Sequence, residues 1–93
     1  MSARKLHHMV IVGRVQGVGF RYFVRLKANE LNLGGWVRNK MDGSVELEVE
    51  GHDDTVGIFV DLLKIGNGYS RVDRIFRSEL PKLQEYQSFF VKY

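Results

Sequence analysis

Nine consecutive residues, Gly13-Arg14-Val15-Gln16-Gly17-Val18-Gly19-Phe20-Arg21, combine the ingredients of an anion site. Glycines at three of the nine positions let the backbone turn tightly and aim several N–H groups in one direction, with no β-carbon in the way. A helix starting near Phe20 adds unpaired N–H donors and the positive end of its dipole, equivalent to about half a charge. Arg21 falls in that first turn, where a cation is unfavourable unless an anion sits beside it. Its planar guanidinium can grip two oxygens of a phosphoryl group at once. Loop, helix end and arginine together suit one phosphate. Glycines in small domains are as often plain turn residues, and the loop by itself leaves that alternative open.

Other chemistries fit less well. No Gly-Lys-Ser/Thr follows, so this is not the nucleotide-binding phosphate loop, and the glycine spacing does not match a dinucleotide fingerprint. An RNA-recognition signature is met at Gly17, Gly19, Phe20 and Phe23 but fails at Gln16, Val18 and Arg21, and it falls before a helix rather than on a central strand. The base-stacking platform is therefore missing, and no nucleic-acid partner is expected. The chain has no cysteine, and Ser2, Ser44, Ser70, Ser78 and Ser88 stand in no nucleophile-elbow context. His7, His8 and His52 form no metal triad and read as surface residues, so neither a metal nor a cofactor is expected.

These residues need a scaffold, and 93 residues supply one domain, 1–93. With 44% hydrophobic and 27% charged residues the composition is that of an ordinary globular chain. The longest apolar run, Met9 to Val12, is far short of a membrane span, and no signal peptide precedes it. A soluble, cytoplasmic, monomeric protein is the expectation. Charge is unevenly spread: residues 1–40 hold eight Lys/Arg and one acid, Glu30, whereas residues 41–93 hold six bases and ten acids. That is one local anion site or a solvated charged face, not a long phosphate-tracking groove.

Met9 to Val12 reads as a buried strand closed by Gly13. Phe20, Phe23, Val24, Ala28 and Leu31 mark one face of a helix, which Gly34 and Gly35 are expected to end. Trp36 to Arg38 begin a second strand, Asp42-Gly43 supplies a hairpin turn, and Val45, Leu47 and Val49 alternate with Glu46, Glu48 and Glu50. That alternation predicts one buried face and one solvated row of acids. Asp53 or Asp54 caps a second helix with apolar face Val56, Phe59, Val60 and Leu63, stopped by Gly66 and Gly68. Val72 to Phe76 form another strand, Pro81 breaks the chain, and Phe89, Val91 and Tyr93 alternate in a last one. The order β-α-β-β-α-β with an extra C-terminal strand predicts an α+β ferredoxin-like α/β sandwich, two helices on one face of an antiparallel sheet.

The stretch Gly-Arg-Val-Gln-Gly-Val-Gly-Phe-Arg closely resembles the N-terminal signature of the acylphosphatases. Trp36-Val37-Arg38-Asn39 with Asp42-Gly43-Ser44-Val45-Glu46 resembles their second signature, and Val49-Glu50-Gly51, Tyr69-Ser70-Arg71-Val72 and Tyr93 fit later landmarks. The resemblance runs from about residue 7 to 93 and implies a ferredoxin-like fold. It also implies hydrolysis of the carboxyl–phosphate bond of small acyl phosphates. By motif position, Arg21 corresponds to the family's phosphate-binding arginine and Asn39 to its water-orienting asparagine. The loop Arg14, Val15, Gln16, Gly17, Val18, Gly19 and Phe20 corresponds to its anion cradle. Gly66-Asn67-Gly68 departs from the proline many members carry there and is expected to loosen that connection.

An acyl phosphate has a carboxylate leaving group that needs no proton at neutral pH, so the expected mechanism is direct attack of an oriented water, without a covalent intermediate. Inorganic phosphate, the product, should inhibit competitively. The competing reading is a non-enzymatic ferredoxin-like module that binds an anion or another protein.

Overall fold

Three alternating apolar residues, Val45, Leu47 and Val49, have no exposed surface, and they lie in the first five positions of the strand at the centre of the sheet. The computed structural model describes residues 2–93. Its elements are β1 (Arg4–Arg14), α1 (Phe20–Glu30), β2 (Gly34–Asn39), β3 (Val45–His52), α2 (Asp53–Ile65), β4 (Arg71–Leu80) and β5 (Phe89–Val91). The sheet order is β4-β1-β3-β2-β5. β3 lies between β1 and β2, and β1 lies between β3 and β4, so each helix connects two strands across a third. This is the doubly split β-α-β arrangement of the ferredoxin-like sandwich.

One core lies between the helices and the sheet. Met9, Ile11, Val37, Val45, Leu47 and Val49 from the strands meet Phe20, Val24 and Ala28 of α1 and Val56, Phe59, Val60 and Leu63 of α2. Burial of each large side chain contributes about 1.5–3 kcal/mol, and deleting one such as Phe59 costs about 3–5 kcal/mol. A domain of this size has little more than that in reserve.

The antiparallel expectation holds for four strands, but β5 pairs with β2 in parallel, through Gly35–Phe89, Trp36–Phe90 and Val37–Val91. The sheet is therefore mixed. After β4, at one edge, the chain runs back to the opposite edge through residues 81–88. Glu50, 1% exposed, accepts the backbone N–H groups of Gln84 (2.6 Å) and Tyr86 (2.9 Å). The Tyr86 hydroxyl donates to Glu48 (2.6 Å) and accepts from Trp36 Nε1 (3.1 Å). Burial, with the bond to Glu48, pushes that phenol up to about 12. Glu46, Glu48 and Glu50 are thus not a solvated row: two of them anchor the returning tail, and Glu46 takes His8 (2.7 Å) and Arg38 (2.6 Å).

Local signals failed at the end of α1 and at the start of α2. α1 ends at Glu30, and Asn32, at φ 57°, makes the left-handed turn assigned above to the glycines. Gly34 instead lies in β2, where Tyr86 occupies the space a β-carbon would need. Neither Asp53 nor Asp54 is the cap of α2. The cap position is His52, and Ser2 Oγ accepts the N–H of Asp54 (3.1 Å) while donating to its carboxylate (2.8 Å). His7 is not a surface residue either. It is 5% exposed, with Nε2 3.2 Å from Asp53, because β1 extends further toward the N-terminus than the apolar run.

Candidate active site

The site is built where β1 gives way to α1. Val15 and Phe20, each 1% exposed, plug into the core at either end of the loop and fix its span. Between them Gly17 and Gly19 both sit at φ 74°, a left-handed conformation that a β-carbon opposes. Gly19 is the cap residue of α1, with no side-chain cap and no acid in the first turn. Among the described residues, the N–H groups of Gly17, Val18 and Gly19 have no protein acceptor. The loop therefore presents open donors beside a helix N-terminus, where an anion is stabilised.

Two side chains hold this loop in place. Gln16 Nε2 donates to the carbonyls of Lys40 (2.7 Å) and Ser44 (2.9 Å), across the β2–β3 turn. That turn is itself closed by Lys40 N–H to Ser44 O (2.8 Å) and by Ser44 N–H to the Asp42 carboxylate (2.9 Å). Hydrogen bonds from the Ser44 hydroxyl and amide hold the Asp42 carboxyl below its usual range. On the other side Asn67 Nδ2 donates to Val18 O (2.8 Å), while its Oδ1 accepts the N–H groups of Tyr69 (3.0 Å) and Ser70 (2.9 Å). Gly66-Asn67-Gly68 does not loosen this connection; Asn67 ties it to the loop.

A cleft of about 470 Å³ opens beside the loop, lined by Gln16, Gly17, Gly19 and Phe20, by Arg21, Tyr22 and Arg25 of α1, by Asn39 at the end of β2, and by Phe90, Val91 and Tyr93. Arg21 and Asn39 are thus brought to one cavity from positions 18 residues apart. The Arg21 guanidinium carbon lies 5.2 Å from the centre of the Tyr93 ring, and among the described residues no carboxylate pairs with it. Asn39 Oδ1 is buried without a hydrogen-bond partner among the described residues. A buried amide oxygen in that state needs a donor, and a water or a substrate hydroxyl would serve.

Not every loop residue faces the cleft. Arg14 ends β1 opposite Arg71 of β4, and its side chain is exposed outside the cavity. Val15 lines it from the core side, and Val18 packs against the core with its carbonyl held by Asn67. The side chain of Gln16 is spent on the β2–β3 turn. Residue-by-residue reading missed Asn67, Tyr22, Arg25 and Phe90. Of these only Arg25 left a signal, standing four residues after Arg21 on the same helix.

An α+β sandwich with a cationic, donor-lined cleft at its first strand–helix junction has the parts of a small anion-binding domain. Residues 7–91 match the acylphosphatase family. The chain is 48% identical over 84 residues to the acylphosphatase of Clostridium beijerinckii, covering 90% of this chain and 93% of that one. It superimposes on the crystal structure of acylphosphatase from Bacillus subtilis with a TM-score of 0.92 at 38% identity, covering 98% of this chain and 100% of that one. An acylphosphatase structure from Coxiella burnetii gives 0.89 at 37% identity, covering 96% and 93%. The chain belongs to the acylphosphatase family.

Proposed function

We propose that this chain hydrolyses the carboxyl–phosphate bond of small acyl phosphates by direct attack of water on phosphorus, with Arg21 and the loop N–H groups holding the phosphoryl oxygens and Asn39 holding the water. The observation that carries this reading is the pairing, in one cleft, of an arginine without an acid partner and a buried amide oxygen without a donor. The first supplies positive charge to the three equatorial oxygens, where charge is spread in the transition state. The second accepts a hydrogen bond from water without titrating, so the water's lone pair can be turned toward phosphorus.

The chemistry closes without further groups. The water oxygen forms a bond to phosphorus, the bond from phosphorus to the carboxyl oxygen breaks, and the electron pair leaves on the carboxylate. The water's proton passes to a phosphoryl oxygen, giving inorganic phosphate. No step uses a covalent enzyme intermediate. Inorganic phosphate keeps the oxygens that Arg21 and the loop grip and competes with substrate. The protein acts as a monomer in the cytoplasm in this reading, and no helix among the described residues is long and apolar enough to cross a membrane.

Release of phosphate from benzoyl phosphate tests the proposal. Turnover that is saturable and competitively inhibited by inorganic phosphate is expected. Phosphate binding without turnover would leave only an anion-binding module.

A further inference from the structure

Half of the bases in the first 40 residues are paired with acids within the fold. Of these eight bases, Arg4 pairs with Glu50, Lys5 with Asp53 and Glu79, Lys27 with Glu30, and Arg38 with Glu46. Arg14 and Lys40 have no acid partner among the described residues but lie outside the cleft lining. Two bases are left that are both without such a partner and in the cleft: Arg21 and Arg25. One phosphoryl group accounts for the first. The second has no task in the hydrolysis derived above.

Arg25 stands one turn further along α1 than Arg21, at the i+4 position, so the two project from the same face about 6 Å apart along the axis. Its guanidinium carbon lies 5.4 Å from the centre of the Tyr22 ring, which orients it without neutralising it. Phe90, Val91 and Tyr93 supply an apolar wall to the same cavity. The cleft thus offers a phosphoryl position at the loop, an apolar stretch, and a second guanidinium.

We infer that Arg25 is a specificity residue, favouring acyl phosphates whose acyl group carries a second anionic group, a carboxylate or phosphate, some 6 Å from the phosphorus. This rests on the hydrolysis proposed above and names the substrate class that the same site prefers. A meta-substituted aromatic diacid comes close to this span, since its distal carboxyl carbon lies about 7 Å from the phosphorus by bond lengths alone. Arginine suits the role because its fork binds carboxylate or phosphate in two-point fashion. General attraction of anions by a basic cleft is a different effect, because it follows total charge and not where that charge sits, so 4-carboxybenzoyl phosphate, equal in charge, is the control and should gain less.

The experiment compares benzoyl phosphate with 3-carboxybenzoyl phosphate, the same aryl group with and without the second carboxylate, at low ionic strength. The wild-type protein is expected to favour the carboxylated substrate about fivefold in kcat/KM, as for a partly exposed charge pair. Arg25→Gln should abolish that preference and Arg25→Glu reverse it. Raising the ionic strength to about 0.5 M should shrink it in the wild type, where screening acts within a few ångströms. Each preference is a ratio measured on one protein sample, so partial unfolding of a variant does not alter it. No preference in the wild type, or one that Arg25→Gln leaves intact, overturns the inference while hydrolysis stands. Absence of turnover on both substrates instead overturns the proposed hydrolysis itself.

Discussion

Replacing Asn39 by alanine separates a catalytic role from a folding role, because the structure gives the two opposite signs. Asn39 Oδ1 is buried with no partner among the described residues, so that oxygen contributes no hydrogen bond to the fold. A buried, unpaired polar atom carries a desolvation penalty of about 1–3 kcal/mol. Removing it should leave stability unchanged or raise it, and each 1 kcal/mol corresponds to about 4–8 °C in Tm for a domain of this size. Activity should move the other way. Losing one preorganised contact to the nucleophile lowers kcat by about 100-fold, equivalent to about 2.7 kcal/mol. Because that contact tightens only in the transition state, kcat and kcat/KM fall together and KM stays nearly constant. Benzoyl phosphate kinetics and a thermal melt on the same preparation read both quantities. A Tm lowered by about 5 °C or more would make Asn39 a structural residue. A tenfold rise in KM at constant kcat would make it a binding residue.

Arg21→Ala should abolish turnover and also the rise in Tm that inorganic phosphate gives the wild type, and Arg21→Lys should recover little, since a point charge cannot bridge two oxygens. Full activity in Arg21→Ala removes the assignment. Gln16→Leu severs the loop from the β2–β3 turn and should lower kcat about tenfold or more with KM changed less, because a small displacement of Asn39 spoils in-line attack; equal loss in both parameters argues against a positioning role. The Glu46 carboxyl, which burial alone would raise, is held below 4.5 by hydrogen bonds from His8 and Arg38. Its stabilising contribution is therefore present above pH 4.5 and lost as pH falls through the lower folded value; urea midpoints from pH 6 to 3 should converge for wild type and Glu46→Gln, and parallel curves contradict this. Activity should persist after exhaustive EDTA treatment, since Arg21 and the loop supply the positive field, and loss restored by magnesium contradicts that.

The amino-acid sequence by itself determined what depends on neighbours along the chain. The glycine loop, the helix start after Gly19, the alternation of Val45, Leu47 and Val49, and the apolar face of α2 each follow from local spacing, and each is present where the spacing puts it. Resemblance to the acylphosphatases likewise needed only contiguous motifs. Tertiary structure alone decided what depends on residues far apart. Glu50 looked like one more exposed acid because a period of two cannot show that residues 81–88 return across it and bury its carboxylate. The parallel pairing of β5 follows from that return, and it brings Phe90, Val91 and Tyr93 to the cleft. Asn67 looked like a loosened turn because its partner, Val18 O, is 49 residues away. Gln16 belonged to the motif, yet its side chain acts on the turn beyond Asn39 rather than on the anion. A side-chain amide has several equivalent partners in a sequence, and only the packed fold chooses among them.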